Sequence, residues 1–207
     1  MAAMCTAQSL NAQGPVRFSA GLAGYATRLN TEVTSEQQRL SGMSFGVTGA
    51  ASLGRLSLDV RYLEGVLKTT GGGPGRDVVE GEAMLGVRPL PWAGLKLGPH
   101  LRSFITNTGI ERWVFWEARV RTEARLGSPR MRSYLELWQV LAGDVGGQDP
   151  FDTGQGVEGG IRVEVGRLPV WLQLSYRMDR SGLAGGAREE VLEHVIFAVG
   201  IWRAGIN

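Results

Sequence analysis

Residues 55–62 read Arg55-Leu56-Ser57-Leu58-Asp59-Val60-Arg61-Tyr62. In an extended chain Leu56, Leu58, Val60 and Tyr62 fall on one side, and Ser57, Asp59 and Arg61 on the other. A period of two marks a β-strand with one apolar and one polar face; a helix needs apolar residues three and four apart. The alternation returns at 157–165, where Val157, Ile161, Val163 and Val165 oppose Glu158, Arg162 and Glu164. It returns again at 170–179, where Leu172, Leu174, Tyr176 and Met178 oppose Trp171, Gln173, Ser175, Arg177 and Asp179. No stretch carries a convincing helical period.

Breaks at Gly, Pro, Asn and Asp clusters divide the chain into ten expected strands: 16–29, 40–52, 55–67, 77–89, 94–106, 111–125, 130–142, 156–167, 170–180 and 191–203. Most are longer than strands of soluble sheets and suit a tilted crossing of a bilayer. The connections alternate. Tight ones fall at Leu53-Gly54, Leu90-Pro91-Trp92, 126–129 and Leu168-Pro169, and longer polar ones at 30–39, 69–75, 107–109, 143–154 and 180–189. In an up-and-down barrel alternate connections lie at opposite ends. The tight turns and both termini therefore share one end and the long links the other, with the loops near Thr70, Asp149 and Gly185 expected outside the cell.

Which face points outward separates a soluble barrel from a membrane one. The polar face holds Arg17, Arg61, Arg88, Lys96, Arg102, Arg119, Arg121, Arg132, Arg162 and Arg177. Against them stand Asp59, Glu80, Glu82, Glu117, Glu123, Glu136, Glu158, Glu164 and Asp179. Near balance permits an internal charge network, which buried charge requires. Gly21, Gly42, Gly46, Gly86, Gly98 and Gly160 punctuate the same face, as a narrow lumen needs. Trp92, Trp113, Trp116, Trp171 and Trp202 lie toward strand ends, the pattern of interfacial aromatic girdles. The apolar face, including Leu56, Leu58, Val60, Leu95, Leu97, Val120, Val163, Leu172, Leu174 and Phe197, is then the lipid face.

These features resemble the small bacterial outer-membrane β-barrel proteins over residues 16–203. The resemblance is architectural and carries no catalytic residues. It implies an all-β, ten-stranded antiparallel up-and-down transmembrane β-barrel in the bacterial outer membrane, with that membrane's lipids as its surroundings. The last strand, Val195-Ile196-Phe197-Ala198-Val199-Gly200-Ile201-Trp202, resembles the carboxy-terminal signal read by the barrel-assembly machinery, except that Arg203 to Asn207 follow its aromatic residue.

Composition narrows the function classes. The chain has 207 residues, of which 31 are Gly, without a collagen period. Its single cysteine, Cys5, excludes an internal disulfide framework, and a net charge of +2 gives no argument for nucleic acid. Residues 1–14 read as a leader or signal-peptide remnant ending near Leu10-Asn11-Ala12, and 15–207 as one barrel domain.

Chemistry-bearing motifs are sparse. Gly42-Met43-Ser44-Phe45-Gly46 matches the nucleophile-elbow spacing, but strand alternation runs through it and no helix follows. Asp152-Thr153-Gly154 matches the aspartic-protease triplet without its apolar strand. The acidic stretch Asp144 to Asp152 lacks a calcium-loop pattern. Of the two histidines, His194 and Asp179 would face each other across a hairpin centred near 186–187, the one candidate dyad; the Asp-x-His and paired-aspartate signatures of omptin-type proteases are absent. His100 and Ser103 have opposite parity and point to different faces. No cofactor or metal ligand set is expected. The reading is a non-enzymatic, porin-like barrel with a charge-filled lumen, a structural or binding component that meets a protein partner through its long loops. The alternatives are a small pore or transporter, an outer-membrane hydrolase, and a soluble ligand-binding barrel.

Overall fold

A computed structural model of the chain describes residues 15–33, 36–70, 72, 74–107, 109–146 and 150–204. The leader reading at 1–14 and Asp149 lie outside the described residues. The strands are β1 Arg17–Val33, β2 Glu36–Leu53, β3 Leu56–Thr69, β4 Arg76–Leu90 and β5 Ala93–Thr106. They continue as β6 Gly109–Leu126, β7 Ser128–Val145, β8 Phe151–Glu164, β9 Val170–Leu183 and β10 Arg188–Ala204. Each pairs antiparallel with its neighbours in sequence, and β1 closes on β10 from Arg17↔Ala204 to Val33↔Arg188. Closure leaves no free edge, so the backbone groups of the sheet find partners within it, as a lipid environment demands. Gly54 (φ 58°) and Gly127 (φ 64°) make the left-handed turns that let β2–β3 and β6–β7 reverse so sharply.

The strands run longer than expected, and the far-end connections shrink to 34–35, 70–75, 107–108, 146–150 and 184–187. The expected long link 30–39 is instead ladder: Asn30↔Arg39, Thr31↔Gln38 and Glu32↔Gln37 pair as regular rungs. Polar residues there mark a hairpin standing clear of the apolar belt, where a pleated ladder satisfies the backbone as well as a loop does. Asp144 and Asp152 likewise stand on β7 and β8. The long loops that were to carry partner binding are therefore not present among the described residues.

The exterior is apolar on every strand. Leu22, Phe45, Leu58, Leu85, Leu97, Val120, Leu137, Ile161, Leu174 and Phe197, one from each of β1 to β10, are all exposed. The expected lipid face stands outward; Val163 alone of its members is only half-buried. A continuous apolar ring is not a surface that water tolerates, and the buried charges described below make the inversion complete. The soluble-barrel alternative fails on this arrangement. Toward the far end the belt gives way to charge: Tyr62 donates to Glu64 at 2.9 Å, Tyr176 donates to Glu193 at 2.5 Å, and Arg28 lies 3.9 Å from Glu193. Tyrosines with an apolar body below and a charged partner above suit a membrane–water interface.

The tryptophan girdle needs correction. Trp92 and Trp116 are exposed on the outside, but Trp113 and Trp171 are 0% and 3% exposed and point inward. Trp202 shares the inward parity of β10 and lines the mouth of the lumen. Trp171 is inward because Gly21 and Gly200 leave room for it: a Cβ on Gly200 would come within 2.3 Å of its ring.

Candidate functional site

The site is the lumen, which is layered along its axis. The middle layer is a lattice of ion pairs built by strand parity. Even positions of β4, β5 and β8 and odd positions of β3, β6 and β9 face inward, so opposite charges meet across rungs such as Arg61↔Glu82, Glu80↔Arg102 and Arg121↔Glu136. Glu82 is one hub, with Arg119 at 2.7 Å, Arg61 at 2.8 Å and Arg177 at 3.4 Å. Glu136 is another, with Lys96 at 3.1 Å, Arg119 at 3.2 Å and Arg121 at 3.5 Å. His100 stands between Glu117, 2.7 Å from Nδ1, and Glu80, 3.6 Å from Nε2. Arg102 reaches Glu80 at 2.6 Å and Asp179 at 3.5 Å. Glu158 accepts from the Tyr134 hydroxyl at 2.6 Å and faces Arg61 at 3.4 Å. The indole of Trp138 is flanked by Arg119 and Arg177, 5.0 and 4.7 Å from a ring centre, and donates to Asp179 at 3.1 Å. Gly156 gives that indole its space, since a Cβ there would lie 2.2 Å from the ring.

The remaining charges predicted for the lumen lie toward the tight turns. Glu123 meets Arg121 at 3.0 Å and Arg132 at 3.9 Å, and Asp59 meets Lys96 at 3.4 Å. Arg162 and Glu164 line the same end of the lumen.

Sequence reasoning missed the layer beyond the lattice. Leu29, Leu40, Leu67, Val78, Phe104, Trp113, Phe115, Val145, Leu183 and Leu192 form a buried apolar cluster, with Phe151 of β8 packed against it. All ten strands contribute, so this is a disc across the lumen. A polar set follows past it, where Arg188 pairs with Glu190 and lies 2.8 Å from Glu111.

The His194–Asp179 dyad is not assembled. The β9–β10 hairpin pairs Asp179 with Leu192 and His194 with Arg177, a register two residues away from the one that would oppose them. Asp179 is engaged by Arg177 at 2.7 Å, while His194 Nδ1 lies 3.0 Å from the Thr27 hydroxyl, itself 3.3 Å from Ser44. Ser44 and His194 are 0% and 1% exposed, so neither reaches solvent.

No protein-family model matches the chain, and no curated protein sequence matches it. Solved structures do. The translocator domain of the autotransporter NalP from Neisseria meningitidis shares 12% identity over 91% of this chain and 88% of its own, with a TM-score of 0.52. An outer-membrane channel from Pseudomonas putida F1 shares 9% over 90% of this chain and 96% of its own, with a TM-score of 0.51. Neisserial surface protein A shares 16% over 89% and 96%, with a TM-score of 0.40. The chain has the fold of the bacterial outer-membrane β-barrels. At these identities the likeness concerns the fold alone, and the function has to be argued from the lumen.

Proposed function

We propose that the protein is a non-conducting barrel of the bacterial outer membrane, a structural or binding component rather than a pore or hydrolase. The observation that carries this is the pair of closures in series: an ion-pair lattice and an apolar disc drawn from every strand. A ten-stranded barrel is only slightly wider than the eight-stranded kind, whose interior side chains can fill. The short far-end connections move any binding role away from loops and into the lumen. The tight turns face the periplasm, and the last strand serves as the signal for the barrel-assembly machinery. Planar-bilayer recording of the purified protein tests the closure: a silent membrane is expected, and large, stable single-channel currents from the unmodified chain would return the pore reading to first place.

A further inference from the structure

The lattice and the disc fill the middle and far end of the lumen and leave a blind recess of about 620 Å³ at the tight-turn end. Its floor is Tyr25, Arg61 and Glu82, and Arg17, Ser52 and Arg88 stand toward its mouth. Charges on the floor are paired; at the mouth the cations Arg17, Arg88, Arg132 and Arg162 outnumber the carboxylates Glu123 and Glu164. Arg132 and Arg162 are direct cross-strand partners in the β7–β8 ladder, and like charges so placed repel. The same ladder holds a second like pair, Glu136 and Glu158, but cations bridge that one: Lys96, Arg119 and Arg121 on Glu136, and Arg61 on Glu158. Among the described residues the arginine pair has Glu123 alone as an ion-pair partner, 3.9 Å from Arg132. Arg162 makes no ion pair among the described residues.

Arg162 is nonetheless held in place. Its Nε and Nη2 donate to Gln173 Oε1 at 3.3 and 3.0 Å, and its guanidinium stacks 4.3 Å over Trp171. Gln173 is fixed in turn by donating to the Tyr134 hydroxyl at 2.7 Å. A guanidinium oriented by one edge and one face keeps its Nη1 donors for an acceptor in the recess. Fixed guanidinium forks match carboxylate and phosphate oxygens. The closed wall bars entry from the lipid, so the acceptor comes through the mouth, from solution.

We propose that this recess binds a small soluble polyanion bearing carboxylate or phosphate groups, held by Arg132 and Arg162 with Arg17 and Arg88 at the entrance. The proposal rests on the closed-lumen reading only for the recess being blind. Conductance tests the closure and calorimetry tests the anion site, so either can fail alone.

The test is isothermal titration of the refolded barrel, in an uncharged detergent without phosphate, with citrate and with pyrophosphate. Saturable one-to-one binding of at least one of them is expected, accompanied by a rise in melting temperature. Arg162→Gln and Arg132→Gln should each weaken it about tenfold or more, the scale of a lost charge-assisted fork, and Arg39→Gln at the opposite end should not. Heat-modifiable gel migration checks that each variant is folded. Should either fail to fold, Arg17→Gln and Arg88→Gln take its place, since they make no ion pair among the described residues, and each should weaken binding. Absence of saturable heat with both anions, or equal binding by wild type and the mouth variants, overturns the proposal.

Discussion

Arg119→Ala is the sharpest test of the lattice. The Arg119 side chain is 2% exposed and lies 2.6 Å from Glu117, 2.7 Å from Glu82 and 3.2 Å from Glu136. Truncation removes one cation and leaves three carboxylates short of a partner. They are not left bare: His100 still serves Glu117, Arg61 and Arg177 serve Glu82, and Lys96 and Arg121 serve Glu136. Breaking a buried pair typically costs about 3–5 kcal/mol. The remaining cations hold the value inside that range although three contacts go at once. Arg39→Ala, on the exposed side of β2, should stay within about 0.5 kcal/mol of wild type. The assay is urea unfolding of the refolded barrel, followed by tryptophan emission and gel migration. A second step separates charge from packing. Adding Glu117→Gln to Arg119→Ala removes one of the under-compensated carboxylates and should recover part of the loss, whereas a pure packing defect would deepen it. If Arg119→Ala costs no more than Arg39→Ala, the lumen is hydrated and the desolvation argument is wrong.

Further outcomes follow from the same geometry. Arg121→Ala should cost less than Arg119→Ala but more than Arg39→Ala, because its side chain is 20% exposed while it still pairs with Glu123 and Glu136; the urea midpoints give the order. Leu58→Arg or Leu172→Arg, on the lipid face and two residues in from the tight-turn ends of β3 and β9, should destabilise by less than the roughly 2–4 kcal/mol of an arginine at the bilayer midplane, and a gain in stability from both would contradict the assigned outer surface. Gly156→Ala drives a methyl into the Trp138 ring and should cost roughly 1–3 kcal/mol, whereas Gly81→Ala meets nothing within 4 Å and should be harmless. Epitope tags at 70–75 and 184–187 should be reached by antibody on intact cells and tags beside Gly54 or Gly127 only after permeabilisation; the opposite pattern would invert the barrel.

The barrel wall was legible in sequence because a lipid face and a charged face impose strict alternation: Leu56, Leu58 and Val60 against Ser57, Asp59 and Arg61 admits one parity. The apolar disc was not legible, for the same reason. On β3 the inward positions change from Asp59 and Arg61 to Leu63 and Leu67, while the outward neighbours Tyr62 and Val66 stay apolar. Both faces then look alike, and the pattern carries no sign of which apolar residue faces the lumen. Trp113 was misplaced by proximity to a strand end, although its parity puts it with Phe115 on the inner face; Trp171 was read both as a girdle residue and on the polar face with Gln173, and its parity decides for the inner face. The His194–Asp179 pairing needed the hairpin centre to within one residue. A turn rich in glycine, Ala184-Gly185-Gly186, does not reveal that.

The two closures are not redundant. An ion-pair lattice alone leaves polar walls, and water threading between guanidinium and carboxylate groups would screen them and give ions a path. The apolar disc supplies no such path, since constrictions lined by Leu, Val, Phe and Trp exclude water outright. Shutting water out at the far end also lowers the effective dielectric around Glu80, Arg102 and His100, which strengthens each pair and raises the penalty for stranding one member. The lattice in turn gives the disc a rigid base, because Arg177 and Asp179 on β9 and Arg102 on β5 tie together strands on opposite sides of the wall. Removing charge from the lattice therefore loosens the wall before it opens a pathway, and removing apolar bulk from the disc wets the lattice before it lets ions through. On the closed-lumen proposal conduction demands both changes, and the recess at the tight-turn end, outside both layers, is left free to meet a solute.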